Sequence, residues 1–304
     1  MTNGAPGGSG GRRRSVQVDG RRVVWWERGS GPAVLFLHGW ALSPASYRET
    51  LERLAAGGAR VLAPALPGFG DSAELPEPQV SLGGYAAHLA AWLDVIGVTE
   101  QVTVVGHSFG GGVAIRLAHD HPRRVDRLVL VNSIGGAVWA ADDSGSRLMS
   151  ERPWWDWGLH LQADLSPARQ AGRVLPVVLA DAATNALRHP LAVWRVAELA
   201  RTADLRAELE ELARRQLPVI VLWGRRDQVL PAASLAAIRL ALGDPTVYVV
   251  EGSHSWLLSD PAAFTEVMTN VLAGEGALVP QAPVGDPDLR DPGALDPGAL
   301  EPGA

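Results

Sequence analysis

Short apolar runs alternate along the chain with longer segments whose apolar residues recur at helical spacing. Several short runs are apolar at every position and rich in β-branched residues, which is typical of strands covered on both faces of a parallel sheet. The predicted strands are Val16–Val18, Val23–Trp26, Val34–Leu37, Val61–Ala63, Val102–Val105, Leu128–Val131, Val219–Trp223 and Val247–Val250. The predicted helices are Pro44–Ala56, Leu82–Ile96, Gly111–His121, Ala232–Leu242 and Pro261–Leu272. This alternation predicts an α/β fold with a doubly wound, mostly parallel sheet.

The alternation stops between residues 134 and 217, where the pattern is helical and no run reads as a convincing strand. We expect this interval to be a helical cap inserted between two sheet strands, so that residues 16–133 and 218–273 form the sheet domain. Such a cap would lie over the carboxyl ends of the strands, where open parallel sheets bind their ligands. Five of the 11 tryptophans fall in the interval: Trp139, Trp154, Trp155, Trp157 and Trp194.

Both ends of the chain have the composition of unstructured segments. Residues 1–15 are polar and rich in glycine, and residues 274–304 are rich in proline, with a five-residue repeat from Asp286 onward. Proline at every fifth position blocks a regular helix, and one leucine per repeat cannot build a core. We expect a solvated, acidic tail rather than a docking motif.

The overall composition narrows the classes of function. Among the 304 residues, 47% are apolar and 20% are charged, which is ordinary for a globular enzyme, and the net charge of −6 gives no nucleic-acid footprint. The absence of cysteine excludes disulfides, zinc–thiolate sites and cysteine nucleophiles. No apolar run reaches the roughly 18 residues of a membrane span, and no apolar stretch follows the basic N-terminal patch as in a secretory signal. We expect a cytoplasmic protein.

The stretch Val104–Gly112, VVGHSFGGG, joins a predicted strand to a predicted helix. Within it, Gly106-His107-Ser108-Phe109-Gly110 matches G-x-S-x-G, a turn that holds a serine in a strained conformation with its side chain thrust outward. The flanking glycines are needed because a Cβ at either position would collide with the turn. The context of a strand before and a helix after the motif favours a catalytic serine over an incidental one.

A serine nucleophile needs a base, and the base needs an orienting group. His254, in VVEGSHSWLL, follows the last predicted strand, so it lies at the same edge of the sheet as Ser108. Asp227, in VLWGRRDQVLP, follows the preceding strand. The chain order Ser108, Asp227, His254 is the order found in α/β-hydrolases.

Five segments strengthen this interpretation when they are taken in order: His38-Gly39-Trp40, Pro67-Gly68-Phe69-Gly70-Asp71-Ser72, Gly106 to Gly111, Gly224 to Asp227, and Gly252 to His254. Together they resemble the capped, single-domain kind of α/β-hydrolase, over roughly residues 16 to 273. The resemblance implies that Ser108 is the nucleophile, His254 the base and Asp227 the acid that orients the base. It also implies an oxyanion hole formed by two backbone N–H groups, those of Phe109 and Trp40.

Other candidate residues have simpler interpretations. His38 and His107 stand beside catalytic backbone groups, and we expect both to be structural. His119 and His121 do not share a helical face, which argues against a metal site, and the glycines of LPGFGDS do not match a phosphate loop. Asn132 occupies a second acid position of the fold but carries no carboxylate. This leaves Asp227 without an obvious rival as the acid. We expect neither a cofactor nor a metal.

The sequence predicts a serine hydrolase that cleaves small to medium apolar carboxylic esters or lactones through an acyl-enzyme intermediate. Trp139, Trp154, Trp155 and Trp157 would either line an apolar pocket or pack the cap onto the sheet. Two alternatives stay open because the fold does not select the bond. One is a carbon–carbon hydrolase of ring-cleavage diketones, and the other is a slow-turnover receptor for a small ligand.

Overall fold

The computed structural model describes residues 11–136 and 171–274. Eight strands form one sheet in the spatial order β1-β2-β4-β3-β5-β6-β7-β8. The strands are β1 Arg12–Val18, β2 Arg21–Arg28, β3 Ala33–Leu37, β4 Arg60–Pro64, β5 Val102–His107, β6 Val125–Val131, β7 Val219–Gly224 and β8 Thr246–Val250. Each predicted strand is therefore present.

The sheet is parallel except at one edge. β1 pairs with β2, and β2 with β4, in the antiparallel direction, whereas every pair from β4 to β8 is parallel. All five residues of β3 and all six of β5 are buried, as expected for central strands covered on both faces. The predicted α/β, mostly parallel sheet is confirmed.

Nine α-helices lie within the described residues: α1 Arg48–Ala56, α2 Leu82–Val95, α3 Phe109–Asp120, α4 Ala171–Arg188, α5 Pro190–Thr202, α6 Arg206–Arg214, α7 Ala232–Leu242, α8 Trp256–Ser259 and α9 Pro261–Ala273. They contribute to two hydrophobic clusters that use alternate residues of the same strand: Leu35 and Leu37 belong to one, Val34 and Phe36 to the other. The first cluster includes side chains of α2, α3, α5, α6 and α7, and the second includes side chains of α1, α8 and α9. Helices on both faces make the sheet doubly wound.

The first strand begins earlier than the sequence predicts. β1 starts at Arg12 and pairs Arg12–Val18 with Arg21–Glu27, so the expected unstructured segment 1–15 is wrong from residue 12 onward. The composition hides this strand because β1 lies at the edge of the sheet, where its arginines are exposed and bring no apolar signal. Charged side chains on an edge strand also discourage pairing with another chain.

The first helix begins later than predicted. Residues 44–47 form turns, and α1 starts at Arg48 rather than Pro44. The Ser43 hydroxyl accepts a hydrogen bond from the Ala45 N–H at 3.3 Å, and such local side-chain bonds compete with helix formation.

Residues 134–217, which we call the interstrand segment, contain α4, α5 and α6 and no strand in their described part. Trp139, Trp154, Trp155 and Trp157 lie outside the described residues, as does most of the predicted C-terminal tail, from residue 275 onward. Among the helices within residues 11–136 and 171–274, none combines the length and the apolar composition that a membrane span requires.

Candidate active site

Ser108 lies at the corner between β5 and α3. Its backbone has φ 52° and ψ −117°, an unfavourable conformation for a residue with a side chain. Hydrogen bonds hold the corner in this shape: the Ser108 N–H donates to the Val131 carbonyl at 3.1 Å, and the Ser108 carbonyl accepts from the Gly111 N–H at 2.9 Å. The strain is therefore maintained by the backbone of β6 and by the first turn of α3.

The two motif glycines allow the helix to approach the sheet. A Cβ on Gly106 would come within 2.5 Å of the Gly110 carbonyl oxygen, and a Cβ on Gly110 within 2.3 Å of the Leu37 carbonyl oxygen. Both distances are much shorter than a van der Waals contact. The sequence interpretation of these glycines agrees with this geometry.

His254 and Asp227 meet at the carboxyl edge of the sheet. The His254 Nδ1 lies 2.9 Å from the Asp227 Oδ2, and the two side chains are only 5% and 1% exposed. The other carboxylate oxygen, Oδ1, accepts from the N–H groups of Val229 and Leu230 at 2.8 and 2.9 Å. Since an ionised carboxylate can only accept, Nδ1 carries the proton and Nε2 is the nitrogen that faces away from Asp227.

Ser108 and His254 line the same small cavity. Its volume is about 30 Å³, and its walls are formed by Gly39, Trp40, Leu42, His107, Ser108, Val229, His254 and Ser255. The structure thus brings the predicted nucleophile, the predicted base and Trp40 together from three distant segments. Trp194, the described tryptophan of the interstrand segment, is half exposed and does not line this cavity.

The loop after β3 contributes one wall of the cavity. The Gly39 N–H donates to the Tyr47 hydroxyl at 3.1 Å, which commits this amide to a structural role and makes Trp40 the next amide along the loop. The Trp40 indole Nε1 donates to the Val193 carbonyl of α5 at 2.8 Å. Phe109 supplies the first amide of α3, at the positive end of the helix dipole.

A buried hydrogen-bonded chain connects the loop after β3 with the loop of His254. The Tyr47 hydroxyl lies 2.8 Å from His107 Nδ1, and His107 Nε2 lies 3.1 Å from the His254 backbone carbonyl. A carbonyl can only accept, so Nε2 carries the proton and Tyr47 donates to Nδ1. Burial, together with the nearby His254, lowers the pKa of His107 from its usual 6.5 to about 3.

His38 is a second buried, neutral histidine. Its Nδ1 lies 2.9 Å from the Gly39 carbonyl, and its Nε2 accepts from the Leu66 N–H at 2.8 Å. Burial lowers the pKa of His38 from 6.5 to about 4. Both histidines therefore make hydrogen bonds that tie neighbouring loops together, in keeping with the structural role expected of them.

Asn132 is the site residue whose part the sequence interpretation missed. It follows β6, is completely buried, and donates from Nδ2 to the Asp227 Oδ2 at 2.6 Å. The only signal in the sequence is an amide directly after a buried strand, at the carboxyl edge of the sheet. Within residues 11–136 and 171–274, no group of three or more histidine and acidic side chains could hold a metal ion.

Comparison with known proteins gives the family of the chain. A family model described as alpha/beta hydrolase fold matches residues 32–261. A pimeloyl-[acyl-carrier protein] methyl ester esterase of Aeromonas hydrophila is 30% identical over 253 residues, which are 79% of this chain and 95% of that protein. A 2-hydroxymuconate semialdehyde hydrolase of a Pseudomonas species is 28% identical over 276 residues, 86% of this chain and 93% of that protein.

Solved structures agree on the fold. The crystal structure of the esterase RhEst1 from a Rhodococcus species superposes with a TM-score of 0.66 and 24% identity, covering 86% of this chain and 98% of that one.

The free energy of unfolding should decrease as the pH is lowered below the usual pKa of histidine. Unfolded His38 and His107 bind protons near pH 6.5, whereas the folded residues do so only near 4 and 3. Between those values the unfolded state binds more protons, so acidification destabilises the fold by up to about 1.4 kcal/mol per pH unit for each histidine. Urea unfolding at a series of pH values measures this slope.

The variant His107→Gln is the matched control for that experiment, since glutamine keeps one donor and one acceptor but does not titrate. Its slope should be smaller than that of the wild-type protein by up to about 1.4 kcal/mol per pH unit. Identical slopes would show that His107 is not a buried neutral histidine.

The variant Tyr47→Phe should destabilise the protein more than Tyr85→Phe. The first change leaves two buried groups unpaired, the Gly39 N–H and His107 Nδ1, and each should cost about 1–3 kcal/mol. Tyr85 makes one such bond, to the Pro67 carbonyl at 3.1 Å. Denaturant unfolding of both variants gives the comparison, and equal losses would contradict the chain through Tyr47.

Proposed function

The chain belongs to the alpha/beta hydrolase fold family, and from this premise we propose that it is a serine hydrolase in which Ser108, His254 and Asp227 act as one unit. The observation that carries the proposal is the position of the His254 imidazole. The ring is fixed by the Asp227 carboxylate at 2.9 Å, and it lines the same cavity as the strained Ser108. A nucleophile, a base and an orienting group in this arrangement are the requirements for activating a serine hydroxyl.

In the first half of the reaction, Ser108 Oγ attacks the carbonyl carbon of an ester while His254 Nε2 takes the hydroxyl proton. The tetrahedral intermediate carries a negative oxygen, which accepts hydrogen bonds from the N–H groups of Trp40 and Phe109. The intermediate then collapses: the bond to the alcohol breaks, and His254 returns the proton to the departing oxygen. The acyl group remains on Ser108.

In the second half, His254 removes a proton from water, and the resulting hydroxide attacks the acyl-enzyme carbonyl. The second tetrahedral intermediate releases the carboxylic acid, and Ser108 Oγ recovers its proton from His254. Asp227 holds the imidazole in the required tautomer and stabilises the imidazolium that forms twice per cycle, without itself taking up the proton.

We place the substrate among small to medium apolar carboxylic esters or lactones. Trp40, Leu42 and Val229 line the small cavity beside Ser108, so the part of a substrate next to the nucleophile would meet apolar side chains. The similarity to a methyl ester esterase supports the same bond type. The bond from the Trp40 indole to the Val193 carbonyl ties the interstrand segment to the loop of the site, which supports a role for this segment as a cap.

Carbon–carbon hydrolysis is the second candidate, because one relative is a 2-hydroxymuconate semialdehyde hydrolase. The same nucleophile and base would serve, and the leaving group would be a carbanion protonated on carbon rather than an alcohol. Parallel assays with p-nitrophenyl esters and with dienoic diketones decide between the two. A higher kcat/KM for the diketone would reject the ester proposal.

The variant Ser108→Ala should lower kcat/KM for p-nitrophenyl butyrate by about a thousandfold or more, because the nucleophile is lost. The midpoint of thermal unfolding should stay nearly unchanged. Ser234→Ala is the matched control, because it makes the same substitution at another serine. Ser234 is completely buried, and its hydroxyl has no hydrogen-bond partner within the described residues. Comparable hydrolysis by Ser108→Ala and Ser234→Ala would assign the chemistry to another residue.

A further inference from the structure

Asn132 occupies a position at which the backbone itself is constrained. Its φ of 41° lies in the left-handed region, which asparagine tolerates better than most residues. The Asn132 N–H donates to the Leu222 carbonyl of β7 at 3.0 Å, which anchors the residue between β6 and β7. The side chain is thereby directed from a fixed backbone.

The amide nitrogen of Asn132 donates to the oxygen that also receives the base. Asn132 Nδ2 lies 2.6 Å from Asp227 Oδ2, and His254 Nδ1 lies 2.9 Å from the same oxygen. The N–H groups of Val229 and Leu230 occupy the other oxygen. With two donors on each oxygen, the carboxylate cannot rotate about the Cβ–Cγ bond of Asp227 without breaking at least one hydrogen bond.

The amide oxygen of Asn132 is held just as firmly. Asn132 Oδ1 accepts from the Trp256 indole Nε1 at 3.0 Å and from the Gly224 N–H at 3.2 Å. Both partners can only donate, so the orientation of the amide follows from its surroundings. Trp256 is buried and stands two residues after His254 in the chain.

The Asn132 side chain therefore connects the end of β6 with the two segments that carry the acid and the base. Only a short amide satisfies all partners: a carboxylate would put two acceptors in contact at Asp227, and an apolar residue would leave Trp256 Nε1 and the Gly224 N–H unpaired. Resting on the function proposed above, we infer that Asn132 is a positioning residue, which holds the Asp227 carboxylate in the orientation that presents the His254 imidazole to Ser108.

The test is a pair of substitutions, Asn132→Ala and Asn132→Asp, assayed for kcat and KM per folded enzyme across pH. A positioning role predicts that kcat for p-nitrophenyl butyrate falls by about ten- to a hundredfold while KM changes little, because the error lies in the alignment of the base. A role limited to stability would lower the unfolding midpoint and leave kcat per folded molecule unchanged.

The pH profile gives a second readout that a stabilising residue would not move. Among the described residues, Asp227 lies at Nδ1 of the His254 ring, and His107 lies at a ring-centroid distance of 5.1 Å, with Tyr47 behind His107. Without the Asn132 donor, more negative charge remains on the Asp227 carboxylate, which stabilises the protonated form of His254 and raises its pKa. The acid limb of kcat/KM should therefore move to higher pH in Asn132→Ala.

Asn185 provides the matched control. It is also completely buried and hydrogen-bonded to an aspartate: its Nδ2 lies 3.4 Å from Asp181 Oδ1 and 2.9 Å from the Ala41 carbonyl, and its Oδ1 accepts from the Gly70 N–H at 2.8 Å. Asn185→Ala and Asn185→Asp should cost stability, yet they should leave kcat within about threefold and the acid limb in place.

A gentler variant, Trp256→Phe, keeps the test valid if Asn132 variants do not fold. It removes one of the donors that hold Asn132 and leaves Asp227 and His254 untouched. We expect a severalfold loss in kcat at constant KM. Unchanged kcat and an unmoved acid limb in every variant that folds would overturn the inference, while ester hydrolysis by the wild-type enzyme would leave the proposed function standing. A wild-type enzyme without such hydrolysis would reject the function itself.

Discussion

The site depends on one carboxylate, that of Asp227, accepting hydrogen bonds on both of its oxygens. Asp227 accepts from two backbone amides on one oxygen and from Asn132 and His254 on the other, so its plane is fixed relative to the ends of β6, β7 and β8. A buried charge is tolerated only when such partners are present. Because the His254 imidazole is one of these partners, the hydrogen bonds that stabilise the carboxylate also set the tautomer and the direction of this proposed base.

Backbone packing positions Ser108, the proposed nucleophile, and Asp227 plays no part in that. Gly106 and Gly110 let α3 approach β3 and β5 so closely that a Cβ at either position would meet a carbonyl oxygen. The strained Ser108 follows from this approach. The Tyr47–His107 chain then joins the loop after β3 to the loop of His254, so the parts of the site share one hydrogen-bonded framework.

Much of this arrangement could be predicted from the sequence, since short, mostly apolar parallel strands place the residues after them at one edge. Ser108, Asp227 and His254 follow three such strands, and the structure brings them to that edge. The first part of β1 was not predicted, because exposed arginines on an edge strand give no apolar pattern. The hydrogen bonds of Asn132 and of the Tyr47–His107 pair were not predicted. Their partners are 60 or more residues away in the chain, and no local spacing in the sequence indicates such contacts.

The most direct test of the account is to locate the reactive hydroxyl chemically. A fluorophosphonate should modify one serine, and digestion after arginine places Ser108 in the peptide Val61–Arg116 together with Ser72 and Ser81. Fragmentation of this peptide in a mass spectrometer distinguishes the three. We predict a single adduct on Ser108 that is lost in His254→Ala. An adduct on another residue, or no adduct on the native protein, would contradict the central claim that Ser108, His254 and Asp227 form one catalytic unit.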